Sequence, residues 1–135
     1  MEKEKIKFIE DVAIILRPYG FSDEVSEFVG CQFALESDFG KSSLAKEHQN
    51  YCGMRFPLVR PTLAKPIDGS SFAAFDNLVL CVVDFILCFA YHQPCRKDME
   101  IINYYKSFIK WYCPEKTYIQ RITNLFNQFQ NERDK

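Results

Sequence analysis

The stretch Phe33–Gly53 reads FALESDFGKSSLAKEHQNYCG, and the chain's architecture turns on how it is divided. Ahead of it, Val25, Phe28, Val29, Gln32 and Phe33 continue one helical face. Ser22 is placed to cap that helix, and Asp23 and Glu24 sit near its positive end. The pattern predicts a helix from Ser22 to about Ser37, broken at Gly40. Ser42 or Ser43 then caps a short helix running to Glu47 or His48, and Asn50 to Gly53 has turn composition.

The tripeptide Asp38-Phe39-Gly40 is also the D-F-G by which protein kinases are spotted. A kinase surrounds it with a Gly-rich loop, a paired Lys and Glu and a catalytic H-R-D loop in a much longer chain. Five glycines and no G-x-G-x-x-G or G-x-x-x-x-G-K-[ST] exclude that reading. No H-E-x-x-H or G-x-S-x-G occurs, and two histidines offer little for nucleophilic catalysis.

Upstream, Ile6, Ile9, Val12, Ala13 and Leu16 predict an amphipathic helix over Glu2–Arg17, stopped by Pro18-Tyr19-Gly20. Downstream, periodicity is lost between Gly53 and Ser71, where Pro57, Pro61, Pro66 and Gly69 fit a loop or small irregular hairpin. Helical patterning returns from Asn77 to about Tyr91, apolar all round except at Asp84, as in a central helix enclosed by others. A carboxylate there needs partners. Lys97–Trp111 and Pro114 to about Asn131 give two more amphipathic helices. The expectation is one domain over residues 1–135, mainly α with a trace of β. About six helices surround a central buried helix, with a small lobe at about 53–71.

Composition agrees with a packed domain, at 47% hydrophobic, 16% aromatic and 26% charged residues. A formal charge of −1 supplies no bulk field toward nucleic acid or an anionic membrane. Arg55, Arg60 and Lys65, with no acid between Met54 and Ile67, form a basic segment, either facing an anionic ligand or simply solvated. The N-terminus mixes acids with bases and does not read as a signal peptide. The longest apolar run, Leu78 to Tyr91, is broken by Asp84 and falls short of the ~20 residues that cross a bilayer. Six cysteines without an export signal suggest free thiols in a reducing compartment. Cys88, His92 and Cys95, with Cys81 two turns earlier, invite a zinc reading. The competing one is packed thiols and a surface histidine, and no metal or cofactor is assigned.

Carboxylate chemistry remains. Glu36 lies near the end of a mostly apolar helix, and Phe33, Leu35 and Phe39 would keep water from it. Desolvation raises a carboxyl pKa, so such a glutamate can stay protonated and act as a general acid; an ordinary helix-end Glu is the alternative.

The stretch Ala34–Met54 resembles the signature of glucosaminidases of glycoside hydrolase family 73, lysozyme relatives of bacteria and phages that cut peptidoglycan. The family pattern is approximately A-L-E-S-x-[WF]-G-x-S, then L-A-K-x-x-x-N-x-[FY]-G-[IM]. It is met by Ala34, Leu35, Glu36, Ser37, Phe39, Gly40, Ser42, Leu44, Ala45, Lys46, Asn50, Gly53 and Met54. Phe72, Asp84 and Phe85 fit a second family segment, and Tyr112, Glu115 and Tyr118 of YCPEKTY fit a third. The resemblance implies a lysozyme-like α domain with its cleft between the helical body and the small lobe. It implies Glu36 as general acid at the β-1,4 bond after N-acetylglucosamine, and Phe39, Asn50, Phe75 and Tyr112 as substrate-binding candidates. Asp84 would be structural, and peptidoglycan glycan strands would be the partner, with no nucleic acid.

Several positions depart from the pattern. Cys52 stands where an aromatic is usual, Ala73 replaces an arginine and Phe75 a tyrosine. Many members carry a second glutamate in the small lobe, whereas here Asp68 is the nearest acid, with Asp38 and Glu47 further candidates. A single-acid mechanism, using the substrate's own acetamido or hydroxyl group, is the other possibility. A non-catalytic glycan-binding or structural module is the alternative to an enzyme. Holin-type release, or loading into a virion or secretion machine, would deliver a wall-cutting protein without a signal.

Overall fold

In a computed structural model of the protein, residues 1–92 and 100–135 are described. Helix α1, Lys3–Leu16, buries Ile9, Val12, Ala13 and Leu16, and a 3-10 turn at Arg17–Tyr19 ends it. Helix α2, Asp23–Ser37, opens on Ser22, whose Oγ accepts from the Val25 amide at 3.2 Å. The two helices cross at Gly30. A Cβ there would stand 2.6 Å from the Ile9 carbonyl oxygen, so only glycine lets the backbones approach this closely.

Every residue from Val25 to Ala34 is buried, which makes α2 the most enclosed helix. That corrects the expectation for the later apolar helix, α4 at Leu78–His92, which leaves Val79, Leu87 and Tyr91 exposed. Two buried polar side chains of α2 find partners from distant elements. Glu27 takes ion pairs from Arg17 at 3.4 Å and from Arg133, and Gln32 accepts from Tyr104 at 2.8 Å.

The Asp38-Phe39-Gly40 tripeptide is the left-handed exit of α2, with φ of 49°, 54° and 83°. Ser37 braces it, donating to the Phe33 carbonyl and accepting from the Gly40 amide. Helix α3, Ser43–His48, follows with Ser42 as its cap. The small lobe holds β1, Lys65–Pro66, antiparallel to β2, Ala73–Ala74, pairing Lys65 with Ala74 and Pro66 with Ala73. A further bridge joins Arg55 to Phe72.

Asp84 fastens this lobe to α4. Fully buried, it receives Arg60 Nη2 at 2.9 Å, Thr62 Oγ1 at 2.8 Å and the Leu63 amide at 2.8 Å. Arg60 is thereby committed to a structural pair, while Arg55 bonds Ser71 and Lys65 pairs with Asp76. Arg60 and Lys65 are thus paired with carboxylates, whereas the partner of Arg55 is a neutral hydroxyl.

The expected helix Lys97–Trp111 is one helical stretch of three parts: α5, Ile101–Tyr104; a π-helical turn, Tyr105–Ile109; and α6, Lys110–Tyr112. Its predicted first residues lie outside the described residues. In a regular α-helix, residues four apart drift by about 40°. The wider π turn keeps Tyr104, Phe108 and Tyr112 in one row, with successive ring centroids 5.8 and 5.7 Å apart. Helix α7, Lys116–Arg133, begins two residues later than Pro114 and packs on α2. The described residues thus form six helical stretches and a two-stranded sheet, the mainly α architecture expected. None of these helices is long and apolar enough to cross a membrane.

Candidate active site

Glu36 projects from the last turn of α2 against Gly53. A Cβ at position 53 would lie 2.7 Å from Glu36 Oε2, and Gly53 has φ +67°, so this residue is glycine for both reasons. Asn50 shapes the turn that brings Gly53 there. Its Nδ2 donates to the carbonyls of Met54 and Ala73, both at 2.9 Å, and its Oδ1 accepts from the amides of Cys52 and Met54. With its amide fully engaged, Asn50 is a structural residue and not a sugar ligand, which corrects its assignment.

Burial raises the Glu36 carboxyl above the usual range, opposed by the Tyr118 hydroxyl and the Arg121 charge. Tyr118 is buried on α7, and burial together with the Glu36 charge pushes its phenol well above its ordinary value. No hydrogen bond of normal geometry closes on its hydroxyl. Tyr112, in α6, also feels the Glu36 charge, and its hydroxyl donates to the Cys52 carbonyl at 2.7 Å. The groups shown acting on or touching the carboxyl are thus Gly53, Tyr118, Arg121 and Tyr112.

Gly53 and Tyr112 also line a groove of about 540 Å³. One wall is the segment Met54–Arg60, and the other is Cys88, Tyr91 and His92 of α4 with Trp111 of α6. Trp111 is 54% exposed and stacks on His92 at 3.8 Å between ring centroids; burial and Arg60 lower the His92 pKa. Leu58 and Val59, 90% and 79% exposed, form the outer lip. Glu36 meets this groove through Gly53, which lines it, and the groove's mostly apolar, aromatic faces suit the apolar faces of sugar rings.

The other sequence candidates lie elsewhere. Phe75 is buried in the core, where it offers no ring face to a ligand. Phe39 packs edge-on against Phe8, under the Lys5 ammonium, and lines a separate depression with Met1 and Leu125. Asp68 is exposed in the Ile67–Ser70 turn of the lobe, and it is not among the groups acting on Glu36. Asp84 serves the lobe, as described. The cluster Cys88, His92 and Cys95 cannot be assembled within the described residues, since Cys95 lies outside them; Cys88 instead faces Arg60. Gln32, Gly53, Tyr104, Tyr118 and Arg121 were not read as site residues from sequence. The available signals were Gln32 one helical turn before Glu36, and the tyrosine of YCPEKTY.

A family model described as mannosyl-glycoprotein endo-beta-N-acetylglucosaminidase matches residues 23–131. The chain belongs to the glucosaminidase family. The match begins at the first residue of α2 and ends within α7, so it takes in Glu36, the turn at Gly53, the groove and Tyr118. No curated protein matches the sequence. Two solved structures share the fold of this chain. A type VI secretion system effector–immunity complex from Pseudomonas protegens contains a chain 17% identical, with a TM-score of 0.66 over 96% of this chain and 94% of that one. The catalytic domain of the autolysin Auto from Listeria monocytogenes is 13% identical, with a TM-score of 0.65 over 96% and 86%.

Proposed function

We propose that this glucosaminidase is a peptidoglycan hydrolase that cleaves the β-1,4 bond following N-acetylglucosamine, with Glu36 as general acid. The observation that carries the reading is the desolvated Glu36 carboxyl set against Gly53, a residue that also lines an aromatic-walled groove. Desolvation shifts this carboxyl toward its protonated form, and the protonated acid donates its proton to the glycosidic oxygen. The C1–O pair departs with that oxygen, and positive charge develops on the sugar ring. Glu36 is left as a carboxylate, to which Tyr118 and Arg121 are favourably placed.

Among the described residues, no other carboxylate contributes to the Glu36 shift, and we favour a substrate-assisted route. In it, the acetamido oxygen of N-acetylglucosamine closes on C1 and water then opens the ring, with ionised Glu36 taking the water's proton. Peptidoglycan, rather than a mannosyl glycoprotein, is the substrate in this reading, which the likeness of fold to an autolysin's catalytic domain and to a chain of a type VI secretion effector–immunity complex supports. The same likeness supports a protein that acts on the cell wall.

Digestion of purified peptidoglycan followed by borohydride reduction and mass spectrometry tests the bond. The reading predicts new reducing N-acetylglucosamine ends. Reducing muramic or anhydro-muramic ends would move the assignment to lysozyme or transglycosylase chemistry, and the absence of cleavage on several wall types would leave the non-catalytic alternative.

A further inference from the structure

The buried polar groups behind Glu36 form a chain the proposed reaction does not yet use. Gln32 is fully buried on α2, one turn before Glu36 and on the same face. Its Oε1 accepts from the Tyr104 hydroxyl at 2.8 Å. An amide whose oxygen is so engaged must present its two N–H donors the other way. There, Gln32 Nε2 and the Tyr118 hydroxyl are both buried without a hydrogen-bond partner of normal geometry. Gln32 acts on Tyr118, and Tyr118 acts on Glu36. Two adjacent buried groups, one a donor and the other able to accept, are rarely left apart, and a small side-chain movement joins them.

We infer that Gln32, anchored by Tyr104, is a positioning residue that acts on Glu36 through Tyr118. The Gln32 amide donates to the Tyr118 oxygen and turns the phenol proton toward the Glu36 carboxyl. A phenol that accepts one hydrogen bond donates more strongly, because the bonds polarise one another. Donation to the carboxyl favours its ionised form and so opposes the desolvation that raises it. The chain therefore limits how firmly Glu36 holds its proton, so that the acid stays protonated before cleavage yet can release the proton during it. The inference rests on the reading of Glu36 as the acid. The titratable groups facing this chain are Tyr118 and Arg121 from α7, Tyr112 from α6 and Tyr104 from α5. Cys52 and Cys88 lie beside the tyrosines.

The test is the titration midpoint of the Glu36 carboxyl, read by carbon NMR with selective labelling, in wild type, Gln32→Met, Tyr104→Phe, Tyr118→Phe and the Gln32→Met/Tyr118→Phe double variant. Tyr118→Phe is expected to raise the midpoint by about one unit. Gln32→Met should raise it by less, and Tyr104→Phe should shift it in the same sense. In the Tyr118→Phe background, Gln32→Met should add nothing. An unchanged midpoint in both Gln32→Met and Tyr104→Phe, or an equal Gln32 effect with and without the Tyr118 hydroxyl, would overturn the inference. Tyr104→Phe, which removes one oxygen, keeps the test available should Gln32→Met not fold. The titration does not need turnover, so failure of the wild type to cut peptidoglycan would remove the proposed function without deciding this relay.

Discussion

Gly53→Ala puts the contact between the turn and the acid under direct strain. Its Cβ would lie 2.7 Å from Glu36 Oε2 and 3.6 Å from Cδ, inside the range that side chains occupy, and the movable partner is the carboxyl end of Glu36. The carboxylate must retreat by about half an ångström or rotate to reach ordinary contact. The left-handed φ of +67° adds about 1–2 kcal/mol for any residue with a Cβ. For a domain of this size that is a fall in Tm of roughly 3–8 °C. Displacing a catalytic group by about 1 Å costs on the order of 10²-fold in rate. The account therefore predicts a kcat on peptidoglycan lowered tens-fold to a hundred-fold, with KM within a few-fold, in the Gly53→Ala variant. Gly69→Ala is the matched control, since Gly69 has φ +74° and nothing within 4 Å of a built Cβ. It should lose comparable stability and keep its kcat. Calorimetry gives the first quantity and reducing-end release the second. A Gly53→Ala enzyme as fast as the wild type would refute the claim that Gly53 fixes the position of Glu36.

The remaining predictions concern the acid, the lobe and the thiols. Folding raises the Glu36 pKa, so this residue's favourable contribution to stability is full below about pH 4 and is lost as pH rises through the folded-state value. Glu36→Gln, which mimics the protonated acid, should match the wild-type Tm near pH 4 and exceed it near pH 8; a constant difference across that range would contradict the burial of the carboxyl. Asp84→Ala leaves the buried Arg60 guanidinium without its counter-charge and should destabilise the protein by about 3–5 kcal/mol, read as a urea midpoint. A loss below about 1 kcal/mol would mean that the pair is open to water. Alkylation of the native protein followed by peptide mapping should modify Cys113 well before Cys31, Cys52, Cys81 or Cys88, which are buried. Rapid modification of Cys52 would argue against the closed turn beside Glu36.

The helices were legible where local chemistry decides them. The Ser22 and Ser42 caps, the Pro18-Tyr19-Gly20 stop and the Gly40 break all act within a few residues of where they stand. The most enclosed helix was not legible. Glu27 looks solvated until Arg133, distant in sequence, pairs with it, and Gln32, read onto the apolar face, finds its partner Tyr104 only in the tertiary fold. The same holds for the apolar α4, whose pattern overstated its burial because Val79 and Tyr91 stay at the surface. Glu36 was reached from its motif and its setting, but the polar groups that act on it were not. They come from α6, α7 and the turn at Gly53, and only the tertiary fold brings these together. Asn50 belongs to the motif because it holds that turn, so its place in the pattern reported structure and not contact with sugar.

The central claim is that Glu36 delivers the proton that breaks the glycosidic bond. The most direct test compares wild type and Glu36→Gln in cleavage of purified peptidoglycan under saturating enzyme, with circular dichroism confirming equal folding. The account predicts new reducing ends from the wild type and a rate lowered by at least ~10²-fold in the variant. A folded Glu36→Gln protein that cuts peptidoglycan at the wild-type rate would contradict it.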